Sequence, residues 1–208
     1  MSVAKISRRL KGRAYELALR CGLASYRRPF QHCDDTTWDQ GYSTSEHDHY
    51  EGVAERPRYG AVASYLGLND GPLDILDIGC GTGILRERIP DEKVRSFVGI
   101  DTSAAGIIRA NARELARTEF KVSAIPDEGE YDAVITNEML YFVPDVEPLL
   151  DKAKGLLRPG GLFVTSNTKF AGDFWLRDRI AERFTLLDES IVVTVANQLK
   201  WRVGCYHA

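Results

Sequence analysis

The stretch Ile75-Leu76-Asp77-Ile78-Gly79-Cys80-Gly81-Thr82-Gly83-Ile84-Leu85 constrains this chain more than any other. A short apolar run of this kind reads as a parallel strand buried on both faces. Three alternating glycines follow at once, so the backbone can turn tightly and approach a ligand without interference from Cβ atoms. The apolar pair Ile84-Leu85 then predicts the start of a helix over about 83–89, stopped by Pro90. A strand, a glycine turn and a helix start form a site for a nucleotide-like ligand at the carboxyl end of a parallel strand.

The remaining pattern can be placed around that turn. Residues 53–67 predict a helix with Val53, Tyr59, Val62, Ala63 and Leu66 on one side, ended by Gly67 and Asn69-Asp70-Gly71-Pro72. Strand 1 spans about 73–79 and strand 2 is Ser96 to Asp101. Thr102 or Ser103 caps a helix over about 104–117, with Ile107, Ile108, Ala112 and Leu115 inward. Strand 3 runs from Phe120 to Ile125 and strand 4 from Tyr131 to Asn137. Asp145 opens a helix, Arg158-Pro159-Gly160-Gly161 is a turn, and strand 5 is Leu162 to Ser166. After a helix near 173–183, the runs 186–195 and 199–206 are joined by too short a link to be anything but antiparallel. Strands alternating with helices predict an α/β, doubly wound sheet of seven strands, mostly parallel with an antiparallel C-terminal strand.

Length suits one structural domain, divided here into residues 1–67 (N-terminal helices and a substrate lid) and 68–208 (the ligand-binding core). No run approaches the roughly 18 apolar residues that cross a bilayer, and no secretory signal is visible. Cys21, Cys33, Cys80 and Cys205 are scattered, with no CxxC pair, so a cytoplasmic location is expected. The net charge of −3 hides an asymmetry. Residues 1–30 hold eight basic side chains against the single acid Glu16, a balance of +7 that leaves −10 on the remainder. Val3, Ile6, Leu10, Ala14, Leu17 and Cys21 recur at helical spacing within this basic segment. Such a helix suits docking on the domain, peripheral membrane contact through residues 1–28, a polyanion, or a transit peptide. The acidic body argues against nucleic acid.

Residues 26–52 are polar and aromatic without periodicity, and read as a loop with one helical turn, a substrate-contacting lid. His47, Asp48, His49 and Glu51 do not assure a third ligand on one face, so no metal is expected. His32 and His207 stand apart.

In the glycine turn, Ile84 occupies the place of the third glycine of a dinucleotide fingerprint, GxGxxG. The phosphate-loop pattern is absent. No Lys or Arg lies between 74 and 85, so nothing in the turn balances a pyrophosphate and a neutral or zwitterionic nucleoside fits better. Asp101, eighteen residues past Gly83, ends strand 2 where a carboxylate accepts both hydroxyls of a ribose.

At these residues the chain resembles the class I S-adenosylmethionine-dependent methyltransferases. Leu76-Asp77-Ile78-Gly79-Cys80-Gly81-Thr82-Gly83, Val98-Gly99-Ile100-Asp101, Tyr131 to Leu140 and Leu157-Arg158-Pro159-Gly160-Gly161 carry the resemblance, in the family's order, over about residues 73–168. A finer likeness, through Trp38-Asp39-Gln40-Gly41-Tyr42, Arg58-Tyr59 and Asn137 to Phe142, is to a small bacterial branch, some of it associated with polysaccharide genes. The resemblance implies a Rossmann-like methyltransferase fold with S-adenosyl-L-methionine as cofactor. It implies that Gly79, Gly81 and Gly83 pass under the methionine and ribose, with Cys80 and Thr102 alongside. Asp77 would orient the turn or meet the amino group, Asp101 would bind the ribose diol, and Asn137 would offer its backbone near the methyl. Tyr42 and Arg58 would stand at the carboxylate end. The acid that the family often places after strand 3, for adenine, is missing from Val122-Ser123-Ala124-Ile125-Pro126.

Methyl transfer to a hydroxyl needs a base. Glu138, Tyr141, His47 and His49 are the candidates, and Glu138 sits best, just past strand 4. The expected activity is methyl transfer to a small polar acceptor, a hydroxyl of a saccharide or similar metabolite. The alternative is a binding module that docks on a partner, a membrane surface or RNA through its basic N-terminal helix.

Overall fold

The computed structural model describes Cys21 and residues 35–44, 46–168, 173–195 and 198–208. The basic amphipathic helix expected before residue 30, with its docking, membrane and polyanion roles, lies outside the described residues apart from the exposed Cys21; so do His32 and Cys33.

Seven strands form one sheet in the order β3-β2-β1-β4-β5-β7-β6. They are β1 (Leu73–Ile78), β2 (Val94–Asp101), β3 (Thr118–Val122), β4 (Tyr131–Asn137), β5 (Leu157–Thr168), β6 (Thr185–Val193) and β7 (Lys200–His207). The first five run parallel to one another; β7 inserts antiparallel between β5 and β6. The helices are α1 (Asp35–Ser43), α2 (Arg56–Tyr65), α3 (Ala104–Asn111), α4 (Val146–Gly155) and α5 (Asp173–Ala181). Side chains alternate across each strand, so adjacent residues feed two separate cores. Ile75 of β1 and Ile135 of β4 join Val62, Phe97, Ile107 and Phe120 on the α2–α3 face. Leu76 and Val134 join Leu150, Phe163, Ile180 and Phe184 on the α4–α5 face.

Four local expectations are corrected. The segment after Gly83 is not a helix over 83–89; it turns and makes only a 3-10 turn at Arg86–Arg88. Arg86 is 1 % exposed, and its guanidinium donates to the carbonyls of Ile89 and Ala116 at 3.1 and 3.0 Å, folding the segment back before Pro90. The helix of residues 104–117 ends at Asn111, and Glu114 and Arg117 beyond it take left-handed backbone angles that no helix could contain. Ile108, expected inward, is 70 % exposed. The helix of 53–67 begins only at Arg56, with Pro57 in its first turn, and leaves Val53 exposed. The turn at Arg158–Gly161 lies within β5 as an irregularity in its pairing with β4, where partners jump from Leu157 to Leu162.

Residues 35–43 are a helix, α1, where a loop was expected. Its sequence has little helical periodicity; tertiary contacts fix it. Gly41 lets it press on the His47 ring, since a Cβ there would lie 2.2 Å from His47 Nε2. Asp39 Oδ1 accepts from the Ala105 N–H and the Ser103 hydroxyl, both at 2.8 Å, at the N-terminus of α3. A carboxylate at a helix N-terminus meets unpaired N–H groups and the positive end of the dipole.

Candidate active site

The carboxyl ends of β1, β2 and β4 open into a cavity of about 350 Å³. Its floor is the glycine turn. Gly79, Gly81 and Gly83 have φ of +73°, +53° and +74°, angles that only glycine adopts without strain. Gly79 and Gly81 line the cavity. Gly83, expected under the ligand, instead packs into the core, where an added Cβ would sit 2.6 Å from the Phe120 ring. Over Gly81 lies the Tyr42 hydroxyl, 2.6 Å from where a Cβ would be. Cys80 and Thr102 also line the cavity. Burial pushes the Cys80 thiol well above its usual value, so it stays protonated.

Asp101 ends β2 at the cavity wall. Its Oδ2 accepts from the Gly81 N–H and its Oδ1 from the Ser103 N–H, both at 2.9 Å, so backbone donors orient the carboxylate. Asp77, in the middle of the sheet between Gly99 and Ile135, is 1 % exposed. Among the described residues its Oδ1 has no hydrogen-bond partner. Burial, and then the charge of Asp101, push its carboxyl well above the usual range. An orphaned buried oxygen in a cavity wall calls for a donor from a ligand.

Arg58 from α2 reaches the end of β4. It is 1 % exposed and gives Glu55 Oε2 two bonds, at 3.2 and 2.9 Å. The rings of Tyr59 and Trp201 flank it at 4.2 and 5.7 Å. Its Nη1 donates to Asn137 Oδ1 at 2.5 Å.

Glu138 follows at once, with φ of +61°. A left-handed angle costs a side-chain-bearing residue about 1–2 kcal/mol, and such strain collects at functional positions. Its Oε2 accepts from the Tyr141 and Thr168 hydroxyls at 2.8 and 2.5 Å. Its Oε1 has only a longer contact, 3.2 Å to Ser166 Oγ. Burial raises the Glu138 carboxyl above its ordinary value, against the pull of Arg58 and the hydroxyl donors. Burial and the Glu138 charge push Tyr141 well above the usual phenol range, so Tyr141 keeps its proton and donates it.

The two lid histidines stand elsewhere. Neither lines the cavity. His47 packs among Trp38, Tyr42 and Tyr50, and burial lowers its pKa, keeping it neutral. His49 is exposed and bonds the Glu46 carbonyl. No group of three or more His, Cys, Asp or Glu placed to hold a metal occurs among the described residues. No described helix is long and apolar enough to cross a membrane.

Several site residues had no expectation attached. Ser166 and Thr168 share a face at the end of β5, and their pairing beside β4 was the one signal that could have placed them. Phe142 stacks edge-on with Trp38 at 4.8 Å to form the cavity's outer wall. Arg109 and Arg113, of α3 and the turn beyond it, hold Asp48 at 2.9 Å and Glu51 at 2.6 Å, fastening residues 48–51 to α3; nothing in the local sequence reveals those pairs.

A doubly wound sheet with a nucleoside-sized cavity over a glycine turn and a carboxylate ending β2 defines a Rossmann-like protein that binds a nucleoside cofactor. The methyltransferase domain family matches residues 52–196, and the chain belongs to that family, whose cofactor is S-adenosylmethionine. Trans-aconitate 2-methyltransferase of Deinococcus radiodurans is 36% identical over 95 residues, 43% of this chain and 36% of that protein. Ubiquinone biosynthesis O-methyltransferase of a Chelativorans species is 37% identical over 103 residues, 45% of this chain and 40% of that protein. The chain thus spans about two-fifths of the length of these curated relatives. Among solved structures, the N-methyltransferase NodS of Bradyrhizobium japonicum with S-adenosyl-l-homocysteine superposes with a TM-score of 0.71. That match has 18% identity and covers 83% of this chain and 96% of that one.

The residues present fit this cofactor. Asp77 offers an unsatisfied acceptor for its ammonium, Gly79 and Gly81 line the cavity with bare main chain, and Asp101 faces the cavity for a diol. Ser123, Ala124 and Ile125 line the side where an adenine would lie, with Ser123 Oγ bonded to the Ala124 carbonyl.

Proposed function

We propose that this chain moves a methyl group from S-adenosylmethionine to a small polar acceptor, a hydroxyl of a saccharide or similar metabolite. The observation that carries the reading is Glu138, a buried, raised carboxyl held by the Tyr141 and Thr168 hydroxyls in the cavity wall just past β4. When bound, the cofactor supplies an electrophilic methyl on a sulfonium, and the carbon–sulfur electron pair stays on sulfur as the acceptor's lone pair takes the carbon. The chain's own work is to hold, orient and dry the reactants. Asp101 takes the ribose hydroxyls, Asp77 the ammonium, and Tyr42 and Arg58 border the amino-acid end. Cys80 and Thr102 shape the walls, and the Asn137 backbone closes the methyl end. Glu138 Oε1, the less engaged oxygen, receives the acceptor's proton, while Tyr141 and Thr168 hold Oε2. Trp38, Tyr50 and Phe142 give the outer cavity aromatic faces, which suit the apolar faces of a sugar as well as its hydroxyls.

We place a cover in residues 1–67 and the core in 68–208; the docking of α1 on α3 supports a cover, while α2, within 1–67, packs into the core through Tyr59 and Val62. A cytoplasmic location is supported by the free, buried thiols of Cys80 and Cys205.

Calorimetric titration with S-adenosylmethionine tests the site. Asp101→Ala removes two charge-assisted hydrogen bonds and is expected to weaken binding by about 100-fold or more. Unchanged affinity in that variant would remove Asp101 from the ribose site.

A further inference from the structure

We propose that Asn137 selects an oxygen, rather than a nitrogen, as the methyl-accepting atom, because its amide is locked with the N–H groups toward the cavity. The inference rests on reading this cavity as a methyl-transfer site.

Arg58 sets the lock. A guanidinium donates and never accepts, so the Asn137 atom 2.5 Å from Arg58 Nη1 has to be the amide oxygen. Arg58 cannot swing away from it. Glu55 holds the other side of its guanidinium, Tyr59 lies against its face, and only 1 % of the residue is exposed. The Ser166 hydroxyl lies 2.6 Å from the same amide oxygen. With Oδ1 so committed, the Asn137 NH2 is left as the group facing the cavity that this residue lines. No described residue accepts a hydrogen bond from it. Ser166 Oγ lies between the Asn137 amide oxygen and Glu138 Oε1, and Asn137 and Glu138, adjacent in the chain, both line the cavity; the spot between them is where an acceptor would sit.

The valence of that spot decides the acceptor. A hydroxyl oxygen has two lone pairs and one proton. One lone pair attacks the methyl carbon, the second accepts from the Asn137 N–H, and the proton goes to Glu138. All three are used, and atoms and charges balance when Glu138 is ionised at the start and protonated at the end. A neutral primary amine has one lone pair and two protons. The lone pair is spent on the methyl carbon and Glu138 takes one proton. The second proton then faces the Asn137 N–H groups, donor against donor. A site built to hydrogen-bond one group strongly rejects the isostere that leaves its buried groups unpaired.

The test uses Asn137→Asp, which keeps the shape and the acceptor for Arg58 but turns the cavity-facing donor into an acceptor. Methyl-labelled S-adenosylmethionine is offered with alcohol–amine pairs on one skeleton: glucose with glucosamine, and catechol with ortho-phenylenediamine. The wild type is expected to label the alcohol over the amine by about 100-fold, and Asn137→Asp to lower that ratio by at least about tenfold. Preferential labelling of the amine by the wild type, or the same ratio in the variant, overturns the inference. A crystal structure with S-adenosylhomocysteine decides it with no acceptor at all. Arg58 and Ser166 have to converge on one terminal atom of Asn137 while the other faces the cavity; a released side chain, or one with both terminal atoms tied to protein, overturns it. Calorimetry separates the two levels. Absence of S-adenosylmethionine binding by the wild type defeats the reading beneath, whereas binding with amine preference defeats only the role of Asn137.

Discussion

The two halves of the cavity are built from different materials. On the cofactor side the functional atoms are mostly backbone, or carboxylates held by backbone. Gly79 and Gly81 present bare main chain, and Asp101 is oriented by the N–H groups of Gly81 and Ser103. On the side proposed for the acceptor they are side chains held by other side chains. Arg58 holds Asn137, while Tyr141 and Thr168 hold Glu138. A backbone-built half changes only when the strand and its turn change. A side-chain network is rewritten by single substitutions, so relatives can keep one cofactor while accepting different substrates.

The largest effect that sharpens this contrast is expected on the acceptor side. Glu138→Gln should lower turnover with a hydroxyl acceptor by about 100- to 10,000-fold, with the affinity for S-adenosylmethionine measured by calorimetry little changed. If Glu138 is the base it has to be ionised, so wild-type turnover should fall as pH drops through the Glu138 pKa, which burial raises above its ordinary value. That limb should disappear from the residual activity of the variant. Stability runs the opposite way. The folded carboxyl binds its proton more tightly than the unfolded one, so native Glu138 loses stability as pH rises from its unfolded pKa through its folded one. Denaturant titrations across that interval should be flatter in Glu138→Gln, and an unaltered turnover profile would take the proton-accepting role away from this residue.

An intermediate effect belongs to the backbone half. Gly83→Ala forces a side chain into a left-handed angle and against the Phe120 ring. The strain and overpacking should together cost about 3 kcal/mol of stability in urea melts. Because Gly83 does not line the cavity, the folded fraction should bind cofactor as before; a selective loss of binding would blur the contrast between the halves.

The smallest effect falls at their joint. Asp39→Ala removes the contact of α1 with the N-terminus of α3 and should lower the urea midpoint only slightly. It should also hasten release of a bound nucleoside in stopped-flow displacement. An unaltered release rate would detach the cover from the cofactor half.

How much of this could be read in the sequence follows the same divide. The strands were legible because β1 and β4 are buried on both faces and read as near-continuous apolar runs. The glycine turn and Asp101 were legible because a backbone-built site needs particular residue types at fixed places along one strand. The helix α1 was not, since Trp38, Asp39 and Tyr42 are fixed by partners far along the chain, such as Phe142, Ser103 and Gly81. Arg58 was marked for the cofactor's carboxylate end, and its hold on Asn137, 79 positions away, had no local signal. Ile108 shows the reverse failure. Its spacing was right for an inward face, but the helix was too short and too peripheral to bury it.

Ser103 has one further consequence. Its N–H steadies Asp101 while its hydroxyl bonds Asp39. One residue is thus shared between the fixed scaffold and an exchangeable cassette. A chimera that receives residues 35–52 from a relative is expected to keep its grip on the cofactor only if the graft retains both an acid at position 39, for the joint to Ser103 and Asp101, and a tyrosine at position 42, over Gly81.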